Sequence, residues 1–265
     1  DIEFNLFELF SNDALNKCSK YEDFDREDFD MILKEAFKFS SKVLAPTQAQ
    51  SDLSPSRFED GKVIISESFR EVFKKFADAG FIALPRDPNY GGMGLPYMVS
   101  LALNEAFMGS AVSFMFVPGL ALGAGHLVEV FAKDDLRNLV VPKMYKGEWA
   151  GTMCLTEPGA GTSLGDMKTS AYKAEEDGTF KIKGNKIFIS AGEHDLTDNI
   201  IHMVLARVDG DVSGTGGISL FLVPKMRFDN KGVIIGSNGV VCTGIEHKMG
   251  LHGCPTCSLS FGNDG

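Results

Sequence analysis

Two hydrophobic periods divide this chain. As far as residue 148 apolar residues recur every three or four positions; beyond it they alternate. Phe29, Ile32, Leu33, Ala36, Phe37, Val43 and Leu44 share one helical face behind a capping Asp25, and Pro46 is expected to end that helix. A second helix is predicted from its cap, Ser66, through Phe69, Val72, Phe73, Phe76 and Ala77 to Gly80. A turn-rich stretch, Pro85–Pro96, precedes Ala106–Val128, which contains no Asp, Glu, Lys or Arg. That length suffices to span a bilayer; its Pro118, His126 and four glycines instead predict two or three short helices buried in a core. Asp134 is placed to cap a last helix, Asp135–Tyr145, that stops at Gly147.

The second half switches to period two. Trp149–Leu155 reads as a strand. Lys168–Ala174 and Phe180–Ser190 flank Asp177-Gly178, a strong hairpin signal. Ile200–Val208, Ile218–Val223, Val233–Ile235 and Thr256–Phe261 supply further strands. Helices followed by strands, without βαβ alternation, argue an α+β chain of two domains, helical over 1–148 and β over 149–265. At 265 residues the chain is long enough for two cores. A net charge of −10 with no basic run argues against a nucleic-acid partner. Five cysteines, an odd number behind no signal-peptide pattern, lead us to expect a reducing compartment.

The candidate chemistry begins where the periods meet, in Trp149–Ser163, WAGTMCLTEPGAGTS. Pro158 breaks the strand, and Gly159 and Gly161 permit conformations closed to other residues. The loop is expected to expose N–H groups and the hydroxyls of Thr156, Thr162 and Ser163. Those suit a flat, polar-edged or anionic ligand, and they equally suit an ordinary Pro-Gly turn. Gly161-Thr162-Ser163-Leu164-Gly165 also matches the G-x-S-x-G elbow of serine hydrolases, with Ser163 as nucleophile. That elbow needs an unbroken strand before it and a helix after it, and the residues suggest neither. Gly159-x-Gly161 is half of a dinucleotide fingerprint, again without a following helix.

Further along, Phe188 and Ser190 are expected on one side of a strand, a stacking face with a donor beside it. That pairing suits an isoalloxazine ring; a core-facing Phe is the alternative. His247, His252, Cys254 and Cys257 could form a zinc knuckle, but H-x4-H-x-C-x2-C is not a standard finger spacing. Glu193-His194-Asp195 could be an acid/base cluster, but a polar turn after a strand, wet and of ordinary acidity, is the commoner explanation. Glu105, in the apolar helical stretch, is the acid for which burial is expected.

Four segments together carry a resemblance. Met153-Cys154-Leu155-Thr156-Glu157-Pro158-Gly159-Ala160-Gly161-Thr162 resembles the flavin-binding signature of the acyl-CoA dehydrogenases. Gly184-Asn185-Lys186-Ile187-Phe188-Ile189-Ser190 is similar to that family's second flavin segment, and Tyr90-Gly91-Gly92-Met93-Gly94 to its helical-domain loop. Glu246-His247-Lys248-Met249-Gly250, followed by Thr256, is similar to a later β-domain stretch. Order and separations fit as well, and the likeness covers essentially the whole chain, with the longer bacterial members nearest.

The resemblance implies an all-helical N-terminal domain, an antiparallel β-barrel-like middle domain, and a C-terminal helical domain missing from this chain. It implies FAD as cofactor and an acyl-CoA substrate, dehydrogenated to the trans-2-enoyl-CoA as a step of fatty-acid β-oxidation. Electrons would leave through an electron-transfer flavoprotein. It further implies a homo-oligomer of the bacterial cytoplasm or mitochondrial matrix, without stable membrane insertion. By the same likeness Met153, Leu155, Thr156, Gly161, Phe188, Ile189 and Ser190 would bind the flavin, Phe188 over the ring face and Ser190 near N5. Thr162 would sit where flavin and the acyl-CoA arm meet, and the glutamate that removes the α-proton would lie beyond Gly265. Phe188 stands where many members have Trp, Thr162-Ser163 where Ser-Asp is common, and His252 and Cys254 where Arg and Ser are usual. The aromatic face and a hydroxyl survive, so flavin binding is expected while acyl specificity stays open. A serine esterase using Ser163 and a non-catalytic flavin- or acyl-CoA-binding module are the other readings.

Overall fold

The computed structural model describes residues 1–9, 18–174 and 178–262, so Asp177 of the expected hairpin signal lies outside the described residues. Helix α1 (Arg26–Phe39) starts at the expected cap. Asp25 accepts from the amides of Glu27 and Asp28, and Asp28 accepts in return from Asp25, which satisfies donors the first turn would leave bare. Pro46 does not end the run. A π-helical turn, Ser40–Leu44, leads directly into α2 (Ala45–Leu53), where Pro46 occupies the first turn and its lack of an N–H costs least.

The helical half also contains a hairpin that the helical period hid. Strands β1 (Arg57–Glu59) and β2 (Lys62–Ile64) are joined by Asp60-Gly61, both at positive φ. Ser66 makes no cap with its side chain; a 3₁₀ turn, Glu67–Phe69, precedes α3 (Arg70–Asp78), and Gly80 follows in the left-handed region. The charge-free stretch forms a single long helix, α4 (Tyr97–Phe131), broken only where Ala111 leaves helical geometry. Packing along its length outweighs the penalty of Pro118. By length and composition α4 could cross a membrane, yet 56% of its most apolar stretch is buried within the fold. Lys133, not Asp134, holds the cap position of α5 (Asp134–Tyr145).

Nine strands follow among the described residues: β3 (Trp149–Cys154), β4 (Ser170–Lys173), β5 (Phe180–Ser190), β6 (Asn199–Val208), β7 (Ile218–Pro224), β8 (Met226–Phe228), β9 (Ile234–Ser237), β10 (Val240–Ile245) and β11 (Thr256–Phe261). Seven of them form one curled sheet in the order β10-β11-β5-β4-β6-β3, with β7 also on β6; β8 and β9 make a separate hairpin. The sheet is mixed rather than antiparallel, because β6 runs parallel to both β3 and β4. The long excursion between β3 and β6 supplies the crossover that a parallel pair needs.

Three cores result. In the helical one Phe76 meets Phe81, Phe107 and Phe114 edge to face. The second joins the halves: Val128 of α4 and Tyr145 of α5 pack with Trp149 of β3 and Met203 of β6. The third lies inside the sheet around Cys154, Ile189, Val204 and Leu259. Gly253, just before β11, touches the helical half so closely that a Cβ there would lie 2.6 Å from Ser51 Cβ and 2.7 Å from Phe69 Cζ. Gly253→Ala should therefore lower stability by about 1–3 kcal/mol. The readout is a lower urea midpoint at unchanged slope; an unchanged midpoint would show that the seam yields.

Candidate functional site

The Thr156 carbonyl accepts the Ile187 N–H at 2.9 Å, which sets the end of β3 edge to edge with β5. Past Thr156 the chain turns back at once. Glu157 and Ala160 exchange backbone hydrogen bonds of 3.0 and 3.1 Å across Pro158-Gly159. Neither Gly159 nor Gly161 is left-handed, contrary to expectation. What Gly159 contributes is room, since nothing lies within 4 Å of where its Cβ would be.

A buried ion pair holds this turn from beneath. The Glu157 carboxylate accepts from Lys186 Nζ at 2.9 Å and from the amides of Lys168 and Thr169 at 2.8 and 3.0 Å. Lys186, fully buried, also donates to the Leu155 carbonyl at 3.0 Å. Burial opposes ionisation of Glu157, but hydrogen bonds from Thr169, Lys168 and Lys186 outweigh it and hold the carboxyl below the ordinary glutamate range. For Lys186 burial wins, and the ammonium sits below the usual lysine range.

On β5 the regular alternation fails. β11 pairs Cys257 with Ile189 but Leu259 with Lys186, so a bulge adds one residue to β5. Phe188 lies in that bulge at φ +59°, and Ala191 follows at φ +50°, both rare for residues that carry a Cβ. Lys186 and Ile189 consequently both turn inward, while Phe188 stands 56% exposed and Ser190 half-buried. The expected period-two relation between Phe188 and Ser190 does not carry across the bulge. Ile189 packs beside Cys154 and Val204, which leaves only its backbone to meet a ligand.

Around this edge Met153 is 37% exposed, Leu155 and Thr156 are half-buried, and Gly161, Thr162 and Ser163 are open to solvent. Within the loop the carbonyls of Thr162 and Ser163 accept from the amides of Leu164 and Asp166 at 3.0 and 3.1 Å. The N–H groups of Gly161, Thr162 and Ser163 have no hydrogen-bond partner among the described residues. The exposed Phe188 ring lies one residue past the Ile187–Thr156 hydrogen bond, and the loop that follows Thr156 carries the free donors.

The competing candidates fare differently. Ser163 stands well after the end of β3 and only a 3₁₀ turn, Leu164–Asp166, follows it before β4, so no strand–nucleophile–helix elbow exists. Cys254 faces the helical core and Cys257 the sheet core, while His252 bonds Asp52 and the Lys248 carbonyl, so the knuckle residues do not converge. Glu193-His194-Asp195 is not a wet turn. Glu193 is buried against Lys225, and burial raises its carboxyl. Burial also pushes the His194 imidazole down to about 4. Asp195 bonds Arg70 at 2.6 Å across the seam to α3. Glu105 is exposed rather than buried.

Residues 26–148 match the acyl-CoA dehydrogenase N-terminal domain and residues 152–263 its middle domain; the chain belongs to the acyl-CoA dehydrogenase family. Among curated relatives it is 34% identical, over 99% of its length, to the 3-methylmercaptopropionyl-CoA dehydrogenase of Ruegeria pomeroyi, and it covers 45% of that protein. It is 37% identical, over all of its length, to a butyryl-CoA dehydrogenase of Syntrophomonas wolfei, of which it covers 44%. The chain thus spans about half the length of the curated relatives it matches. The Bacillus anthracis acyl-CoA dehydrogenase solved with FAD shares the fold, with a TM-score of 0.68 at 24% identity over 91% of this chain and 36% of that one.

Proposed function

We propose that these residues form the N-terminal and middle parts of a FAD-dependent acyl-CoA dehydrogenase that converts an acyl-CoA thioester to its trans-2-enoyl-CoA. The observation that carries the reading is Phe188, exposed at a left-handed backbone position one residue beyond the hydrogen bond that ties β5 to Thr156 at the base of the loop. Backbone strain of this kind persists where surrounding structure enforces it, and it gathers at ligand sites. The residues fit the cofactor: an aromatic face for a flat ring, with donors along a polar edge. Phe188 would cover the ring, with Met153, Leu155 and Thr156 along its edge and the Ser190 hydroxyl and Ile189 backbone at its polar rim. Gly161 and Thr162 would complete the site on the side from which the acyl-CoA arm enters. FAD, when bound, accepts the hydride from the substrate. The chain's own residues bind the ring, orient it and exclude water from one face.

The base that removes the α-proton is proposed to lie outside these 265 residues. Glu157 is neutralised by Lys186, Glu193 by Lys225 and Asp195 by Arg70, and Glu105 is solvated. A general base for so weak an acid needs a dry position in reach of the proton. Tyr97, Leu101 and Met108, exposed at helical spacing, leave an apolar face on the first turns of α4 that supports a further covering layer. An electron-transfer flavoprotein is the proposed acceptor. A homo-oligomer without membrane insertion is proposed as well; a reducing compartment, bacterial cytoplasm or mitochondrial matrix, accords with five unpaired cysteines.

The test is one visible spectrum followed by a titration. The full-length polypeptide is expected to show flavin absorbance that an acyl-CoA bleaches under anaerobic conditions. A colourless protein would sink the flavin reading. A flavin bleached by no short-, medium- or long-chain acyl-CoA would leave only a binding module.

A further inference from the structure

We propose that Arg207 is a positioning residue for the ligand loop Gly161–Gly165, acting together with the loop over residues 209–217; this rests on the ligand reading of that site given above. Arg207 lies at the end of β6, outside the four family segments and remote in sequence from the loop. Its guanidinium nevertheless joins the two loops. Nη2 donates to the Gly165 carbonyl at 3.1 Å and to the Gly214 carbonyl at 2.9 Å, and Nη1 donates to the Val212 carbonyl at 2.6 Å.

Glycines clear the space in which this fork works. A Cβ on Gly165 would come within 3.4 Å of Gly214 Cα, so the loops meet backbone to backbone. A Cβ on Gly217 would overlap the Val212 carbonyl oxygen and lie 2.6 Å from Arg207 Nη1. The amides of Leu164 and Asp166 and the Arg207 guanidinium engage the carbonyls of Thr162, Ser163 and Gly165, and the N–H groups of the exposed residues 161–163 have no partner among the described residues. Consecutive N–H groups free in this way can make an anion-binding concavity. The chemistry this loop suits is phosphoryl oxygen, which FAD and coenzyme A both carry. Arginine suits the tether because one planar fork reaches three carbonyls, whereas lysine offers a point charge on a flexible stem.

Arg207→Gln, Arg207→Lys and Gly217→Ala in the full-length polypeptide test this. Gly217→Ala forces apart the Val212 carbonyl and the guanidinium without changing charge, so it disturbs the tether from the side of the second loop, and Arg207→Lys carries the test if Arg207→Gln fails to fold. Hydrogen exchange is read first, on the apo protein. Amides of Leu164, Asp166 and Met167 are expected to exchange about tenfold faster in Arg207→Gln and Gly217→Ala, with those of the β5–β11 ladder unchanged. Arg207→Lys should restore little of this protection. Calorimetry is then run with FAD against riboflavin and with coenzyme A against pantetheine. About tenfold weaker binding, the scale of one charge-assisted hydrogen bond, is expected for whichever phosphate-bearing ligand the loop holds. A loss confined to FAD assigns the loop to the cofactor, and one confined to coenzyme A assigns it to the substrate arm. Unchanged loop exchange would overturn the inference, as would a loosened loop with both affinities intact. A wild-type protein that binds neither ligand would overturn the site reading itself.

Discussion

Glu157→Gln and Lys186→Met are each expected to destabilise the protein by about 3–5 kcal/mol, because each leaves its partner's charge buried without a counterion. The geometry is the reason. Lys186 is fully buried and Glu157 nearly so, at 2.9 Å, and water cannot take over when one is removed. In Glu157→Gln the ammonium keeps only the Leu155 carbonyl and an amide oxygen. In Lys186→Met the carboxylate keeps the amides of Lys168 and Thr169, so it is the milder change. The double variant should lose less than the sum, since neither charge is then stranded. Against an ordinary total of about 5–15 kcal/mol, either single change is a large fraction of stability. The pair also joins the two strands that edge the proposed flavin site, so on that proposal flavin retention should fall in the singles and partly return in the double. Urea melts at neutral pH decide the matter; single losses under about 1 kcal/mol would put the pair in the class of surface bridges.

That pair also marks the limit of what the residues disclose on their own. The switch of period near residue 148, the Asp25 cap and most strands were legible because each depends on neighbours a few positions away. The loop at Trp149–Ser163 and Phe188 stood out as candidate chemistry, since each combines residue types that suit a flat, polar-edged ligand. Contacts between distant segments were not. A lysine amid Ile182, Ile187 and Ile189 is a polar residue in an apolar run, and a glutamate flanked by Leu155, Thr156 and Pro158 is its counterpart; nothing local says that they meet. The same holds for Glu193, whose burial depends on Lys225, and for Arg207, whose carbonyl partners come from two loops. The bulge that exposes Phe188 is set by register with β11, far along the chain. Pro46 misled for a local reason: a proline both ends helices and begins them, and a π turn let one run do both.

Acid is expected to unfold the protein by way of His194 and His202. Both are fully buried and neutral, and each has an Nε2 without a partner among the described residues. His202 Nδ1 lies 2.7 Å from Thr152 Oγ1, and His194 Nδ1 accepts from Leu196 N at 3.3 Å. Burial pushes the imidazoles down to about 4 for His194 and about 3 for His202, and the ammonium of Lys225 pushes both the same way. An unfolded histidine titrates near 6.5. Below that value the unfolded chain binds protons that the native state refuses, so stability is lost as pH falls and regained as it rises. Each histidine contributes a slope of about 1.4 kcal/mol per pH unit between about 6.5 and its folded value, and the two together about 2.7. Glu157 works in the same sense, but its folded value is depressed, so its share is lost only below about 4.5. Glu193 works against them. Its raised carboxyl lets the native state take up a proton first, which offsets part of the slope above about pH 4.5. The window between about pH 5 and 6.5 therefore carries both histidine contributions less that offset, and the histidine variants separate them because Glu193 is common to all. Unfolding free energies across it should show the steep slope in the wild type and about half of it in His202→Gln, whose amide can still meet Thr152 but cannot titrate. His194→Gln should remove the other half. If both substitutions leave the slope unchanged, the native state is protonating these rings, and the sheet interior must admit water that the structure gives no path for.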